Sequence, residues 1–411
     1  MPEIKPFLGW RYDRKKVKDL SKVYAPPYDI ISKKLQNKLY EKSPYNVVRL
    51  ELGKAHSADG AGRNVYTRAK ETLAEWKQKG VLRREEAPAL YIYVQDYREE
   101  GRMKKRVGFL TAMRIDERQV MKHENTLAAP KKDRLALLKS VRMNLSPIFG
   151  LYEDRSGKTK TLLKKASSGR PEVDVTLDGV RHRIYVEKRP QILSGICSAL
   201  RSKPMLIADG HHRFETACRY HSLRRKADHV LTYFSDCVHN PMKIYPTHRL
   251  VRGDVTTAVE SLKGRGKLRS VKNLDALLKA LSKTRLEDKP GYRFGFFSKK
   301  TGFLVFELDA KHTPRAVTPV ERLDVSVLHK AIIEPVFGIR HIERSESINF
   351  TRDPEEAVRR VKGGEFEAAL YIRPTSLEEM LEASKKGLKM PQKSTYFYPK
   401  LLTGLVFHSV E

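Results

Sequence analysis

The chain has 411 residues, 40% of them apolar, with 81 Lys or Arg against 49 Asp or Glu and a formal charge of +32. That length supports two or three domains, or one large domain with a satellite, and apolar residues spread along it exclude wholesale disorder. No apolar stretch approaches a membrane span and Met1 to Lys5 leads into no secretory signal, so a cytoplasmic protein with no membrane partner is expected.

The predicted elements mix helices and strands from the start. Pro26 and Pro27, in the loop from Tyr24 to Asp29, forbid a helix interior. Tyr45 to Leu52 alternates as a strand does, which makes Arg49 either an outward-facing charge or a substrate-binding cation. A helix from Val65 to Gln78 carries Tyr66, Ala69, Leu73 and Trp76 on one side, with Gly80 closing it. Leu90 to Val94 and Val107 to Thr111 flank a polar turn ending at Gly101 and read as a hairpin. The clearest hairpin runs from Val173 to Val186, where Asp178-Gly179 suits a type I′ turn. Pro190 then opens a helix whose stripe is Ile192, Leu193, Ile196, Cys197 and Leu200.

Next comes the segment Lys203 to Ala217. Met205 to Ala208 reads as a strand, Gly210 as a turn, and Phe214, Ala217, Cys218 and His221 as one face of a helix, with Glu215 in its first turn. At such a junction the first helical N–H groups lack partners and the helix dipole adds positive charge, a cradle for phosphate. Gly210 lets a ligand approach the backbone, Arg213 offers a forked guanidinium, and His211 and His212 supply donors. In the structural alternative this is a buried turn in which Asp209 caps the helix and the two histidines are surface residues.

Val230 to Phe234 and Lys243 to Arg249 read as further strands. Beyond Gly253, helices alternate with short strands such as Tyr292 to Phe297, Phe303 to Phe306 and Phe366 to Tyr371. Asp353-Pro354 starts one helix, and Thr375 with Glu378 has capping-box spacing for another. The fold class is α/β (mixed α+β). Three regions are expected: 1–150, an N-terminal α/β region contributing to the site; 151–252, the core with the cradle; and 253–411, a C-terminal α/β region.

Other constellations are weighed against plainer roles. Gly150 to Thr159 imitates a phosphate loop, but its glycines are seven residues apart where the motif requires five, and a turn is expected. His123-Glu124-Asn125-Thr126, followed by Lys131, Lys132 and Arg134, places an acid, a histidine and three cations at a helix start, with Glu124 as a general base if it folds against the cradle. Thr247-His248-Arg249 and Lys393 to Lys400 are donor-rich loops suited to phosphate or carboxylate oxygens, with Tyr396 and Tyr398 read as strand residues packed on a core. Cys197, Cys218 and Cys237 are too far apart for a zinc pair and serve packing. The basic residues are interspersed with acids, and their dense clusters are short. They leave nucleic acid as a partner to be tested and suit the steering of anionic nucleotides equally well.

Taken together, Pro26 to Asp29, Pro44 to Leu50, His123-Glu124 with Thr126, Ser146 to Tyr152, Ala208 to Arg213, Pro246 to Arg249 and Lys393 to Phe397 resemble the family catalogued as domain of unknown function number 1015, over nearly the whole chain. Asp209 to Arg213 additionally resembles the motif of the partition-protein and sulfiredoxin superfamily, which includes archaeal free-serine kinases. Sulfiredoxin carries a reactive cysteine within its motif, whereas this chain has His211 and His212, which argues against redox repair.

This resemblance implies a partition-protein/sulfiredoxin-like nucleotide-binding core with additional α/β elements, and a kinase that uses ATP or ADP with Mg²⁺ to phosphorylate a free amino acid such as L-serine. Phosphoryl transfer asks mainly for positioning and charge stabilisation, which the cradle supplies. Gly210 and His211 would hold phosphate, with Arg213 compensating its charge. Asp209 and His212 would orient donors or a magnesium-bound water, and Glu124 would act as base. His248 and Arg249 would bind phosphate, or Arg249 or Arg49 would meet the substrate carboxylate; no metal-ligand set is assigned. The competing expectation is a nucleotide-gated nucleic-acid-binding protein, against which stands the lack of a helix-turn-helix or long basic stripe.

Overall fold

The computed structural model describes residues 2–410 apart from positions 125, 127, 202, 241, 283–290, 341, 343, 344 and 392. The architecture is mixed α/β, in two compact units. The first comprises Met1–Lys122, Thr126–Met242 and Pro399–Glu411, the second His123–Asn125 and Lys243–Tyr398. The division falls near residue 243, and the sequence regions 1–150 and 151–252 lie mostly in one unit.

A nine-stranded sheet organises the first unit. Its order is Val120–Met121, Met205–Asp209, Ile148–Tyr152, His229–Asp236, Arg102–Arg114, Leu90–Glu99, Val180–Glu187 and Val173–Leu177, with Ile4–Lys5 also paired to Arg102–Arg114. Two pairings are parallel, Met205–Asp209 with Val120–Met121 and Ile148–Tyr152 with His229–Asp236, and the others are antiparallel. Ile92, Phe109, Ile148, Ile207 and Phe234 line one face, covered by Leu163, Ile196, Leu200 and Phe214 from three helices. Tyr91, Tyr93, Leu110, Leu206 and Tyr233 are buried on the other. Burial on both faces explains why these strands read as continuous apolar runs.

The two hairpins form where the turn chemistry puts them. Asp178 and Gly179 take φ of 49° and 76°, and Glu100 and Gly101 take 48° and 77°, the left-handed pairs of a two-residue turn. Pro190 is the first residue of the helix Pro190–Leu200. In the imitation phosphate loop, Asp154 accepts from the Thr159 backbone N–H at 2.8 Å and Gly157, with φ 68°, precedes the helix Lys158–Ala166, a turn as expected.

Three local readings are corrected. Arg49 lies in a short helix, Val48–Glu51, because buried Asn46 accepts from the Val48 N–H at 3.0 Å and curls the chain, while Val47, Val48, Leu50 and Glu51 are all buried, which no outward-facing strand permits. The cap of the helix Leu377–Lys385 is Ser376, boxed with Glu379, one residue after the expected pair. Lys243 to Arg249 is two strands, Lys243–Tyr245 and His248–Val251, with Pro246 in the break between them.

A six-stranded antiparallel sheet organises the second unit, in the order Gly266–Val271, Gly302–Leu308, Tyr292–Ser298, Ala368–Tyr371, His248–Val251 and Ile348–Thr351. Leu277 and Leu281 of one helix and Ala357 and Val361 of another pack on Leu250, Phe297, Ala369 and Tyr371. Asp353 caps the helix Pro354–Lys362 as predicted. Tyr396–Tyr398 pairs with Lys243–Tyr245, placing Phe397 in the interior. Among the described residues no helix is long and apolar enough to cross a membrane.

Gly108 pairs with Ser235, and a Cβ there would collide with the Phe234 carbonyl oxygen and the Tyr233 ring. Gly108→Ala is therefore expected to lower stability by about 1–3 kcal/mol, the usual range for overpacking. Urea denaturation of both proteins measures it, and an unchanged midpoint would contradict this account of the sheet.

Candidate functional site

The cradle forms where the apolar strand Met205–Asp209 hands over to the helix His211–Leu223. Gly210 is the N-cap, with φ 93°, and no side chain caps this end. Asp209 is not the cap. The first helical bond runs from Phe214 N–H to the Gly210 carbonyl at 3.0 Å, so the preceding turn has no intrahelical acceptor for its own N–H groups. A Cβ at position 210 would lie 3.0 Å from Arg213 Nε, so the guanidinium rests against the glycine. Phe214 and Ala217 anchor the helix in the core, while Asp209, Gly210, His212 and Arg213 are partly buried and His211 is buried.

Two cations meet Asp209. Lys400 Nζ lies 2.7 Å from Oδ2, and an Arg213 terminal nitrogen is 3.7 Å from Oδ1. Burial favours the neutral acid, but Lys400 and then Arg213 outweigh it and hold the Asp209 carboxyl well below the usual carboxylate range. The site's other connections fix these cations. Arg213 Nη1 donates to the Pro147 carbonyl. Gln95 Nε2 donates to the Lys400 carbonyl at 3.0 Å, and buried Arg106 donates to the Pro399 carbonyl and to Gln95 Oε1.

Around the helix start lie further groups. Glu215 is one residue beyond the first turn; its Oε2 accepts from Thr126 Oγ1 at 2.5 Å and Lys131 Nζ at 3.0 Å, so it tethers the segment after His123-Glu124 in place of serving the dipole. Tyr28, from the double-proline loop, lies under Arg134 at 4.2 Å. Burial raises its phenol to about 12 against the pull of Arg134 and Arg213. Sequence reasoning missed Tyr28, Arg106 and the partnership of Lys400 with Asp209, which are separated from the cradle by up to 191 residues and leave no local signal.

The structure gathers Asp209, Gly210, His211, His212 and Arg213 in the first unit. Arg49 is in that unit too, but it donates to the Tyr40 carbonyl at 2.9 Å and lies over the Tyr40 ring at 4.3 Å, a local engagement. Glu124, His248 and Arg249 belong to the second unit. Glu124 bridges to Met390 and accepts from the Lys393 N–H at 3.3 Å, and His123 Nε2 is 3.2 Å from Thr395 Oγ1. Asn125 of that motif is outside the described residues. His248 and Arg249 are 1% and 0% exposed within a sheet strand, so neither sits on the exposed loop that the sequence suggested.

A cavity of about 850 Å³ also opens in the first unit, lined by Arg114, Arg118, Arg201, His221 and Arg225 among others. Arg114 and Arg118 are paired there with Glu3 and Asp116, and no cradle residue lines it.

No curated protein matches the chain. Among solved structures it is similar to a free serine kinase in complex with AMP, 16% identical over 70% of this chain and 86% of that one, with a TM-score of 0.37. A conserved hypothetical protein from Pyrococcus furiosus is 14% identical over 73% and 95%, with a TM-score of 0.38. SbnI with a C-terminal truncation, from Staphylococcus aureus, is 12% identical over 72% and 85%, with a TM-score of 0.36. The family model described as "Protein of unknown function (DUF1015)" matches residues 4–326, most of the chain, and the chain belongs to that family.

Proposed function

We propose that the cradle binds the phosphates of ATP or ADP and that the protein is a phosphotransferase acting on the hydroxyl of a free amino acid such as L-serine. The observation that carries this reading is the partly accessible helix start at Gly210, where no side chain caps the helix, with Arg213 against it and Lys400 alongside Asp209. Backbone N–H groups and the helix dipole favour an anion at this end, and a forked guanidinium beside them spreads the developing charge of a transferring phosphoryl group. The amides of His211 and His212 belong to the phosphate seat. The choice of serine rests on the resemblance of Asp209 to Arg213 to the free-serine kinase motif.

Asp209 does not fit a magnesium ligand. With Lys400 at 2.7 Å and Arg213 at 3.7 Å, its charge is spent on two cations, and a hard divalent ion would have to displace Lys400. Its role in this reading is the counter-ion that holds those cations in place. Magnesium belongs to the nucleotide's own phosphates, and no step depends on a protein-bound ion.

The counter-ion role has a pH signature. Asp209 has a folded-state pKa below its unfolded value, so its stabilisation is present at neutral pH and is lost as pH falls below about 4. Lys400→Met leaves the carboxylate under-compensated: an expected loss of about 3 kcal/mol at pH 7, with acid unfolding beginning at higher pH than in the wild type. Denaturant titrations from pH 7 to pH 2 read both effects, and identical curves would remove the pair from this account.

Phosphorus NMR of the full chain with Mg²⁺, ATP or ADP and a panel of free amino acids tests the activity. A new phosphomonoester signal is expected with a hydroxyl amino acid, and its absence across the panel would refute the kinase. Arg213→Ala is expected to weaken nucleotide binding by about tenfold or more, in line with loss of a charge-assisted hydrogen bond. DNA binding with a steep salt slope and no phosphorylated product would favour the nucleic-acid alternative.

A further inference from the structure

Arg249 is an anomaly among the buried arginines. Arg11 faces Glu85, Arg134 faces Glu51, and Arg106 is held by Gln95 and the Pro399 carbonyl. Arg249, 0% exposed, donates from Nη1 to the Thr247 carbonyl, while Nε and Nη2 have no hydrogen-bond partner. Among the described residues no carboxylate forms an ion pair with it.

Its placement follows from strand alternation. Arg249 pairs with Leu370 on one side and Phe350 on the other. His248 and Leu250 point to the face packed by the Leu274–Ser282 and Pro354–Lys362 helices, where the His248 ring lies 4.8 Å from that of Tyr371. Arg249 therefore points to the opposite face, its guanidinium 5.5 Å from the Phe350 ring centre. His329 stands close enough to feel that charge, which together with burial keeps its imidazole neutral. Its Nε2 is also buried and without a partner. His329 opens the π-helical turn His329–Ile333, an irregularity that recurs at functional sites.

A guanidinium taken out of water without a counter-charge is strongly unfavourable, and two parallel N–H groups of its fork match the two-oxygen edge of a carboxylate or phosphate. We propose that Arg249 and His329 form a binding seat, within the second unit, for a small oxyanion: two oxygens on Nε and Nη2 of Arg249, and a hydrogen bond from the buried, unpartnered Nε2 of His329. The seat does not depend on the nucleotide reading of the first unit.

Thermal shift and calorimetry on the full chain at constant ionic strength test it, with inorganic phosphate, acetate and L-serine as probes and chloride as control. At least one oxyanion is expected to raise the wild-type melting temperature saturably. Arg249→Met is expected to abolish that response and, without oxyanion, to melt at or above the wild-type temperature, since the orphaned charge is gone. Arg249→Lys keeps the charge without the fork and is expected to bind about tenfold more weakly, which covers the case in which the methionine variant does not fold. His329→Leu is expected to weaken binding as well. Phosphate against acetate and L-serine separates the two anion chemistries. Arg213→Ala separates the seats: a response lost there and kept in the Arg249 variants belongs to the cradle and overturns the proposal, as does a wild type that no oxyanion stabilises.

Discussion

The first unit's site depends on one ion pair, Lys400 to Asp209 at 2.7 Å. It closes a loop of 191 residues in sequence and draws the C-terminal segment onto the strand that leads into the cradle. That segment is held at several further points: Arg106 and Gln95 take the carbonyls of Pro399 and Lys400, Thr403 bridges to Ala25, and Phe407 bridges to Trp10. Each tie uses backbone polar groups that would otherwise be buried without partners, so the segment's path is the solution of a satisfaction problem as much as of packing.

Both units handle buried positive charge, in different ways. In the first, Arg11 and Arg134 face acids, Arg106 is held by both the Gln95 side chain and the Pro399 carbonyl, and the cradle's cations are tethered through Asp209. In the second, burial alone pulls the Arg249 guanidinium down to about 9, with no acid opposing the effect. A folded domain tolerates such a residue when something outside the chain supplies the missing charge, which is why the contrast between the two arginine populations points to a ligand.

Legibility varied with the range of the interaction. Asp178-Gly179, Pro190 and Asp353 were readable because a turn, a first helical position and a cap are each decided within about four residues. The shift from Thr375 to Ser376 was a one-residue competition between two hydroxyls with equally placed glutamates, which local spacing does not separate. Tyr45 to Leu52 misled because Asn46 turns the chain into a short helix in which Val47, Val48, Leu50 and Glu51 are all buried, and burial is not a local property. Glu215 had a helix-dipole role on paper and a tether to Thr126 and Lys131 in the fold.

The amino-acid sequence on its own determined the strand, glycine and helix of the cradle, both hairpin turns and the mixed α/β class, because backbone preference and periodicity act over a turn or two. Tertiary structure alone decided that Lys400 neutralises Asp209, that Arg49 is spent on Tyr40, and that Arg249 is buried with no acid paired to it among the described residues. Those outcomes depend on which distant strands pair and which faces they bury, and electrostatic partnership follows from that geometry.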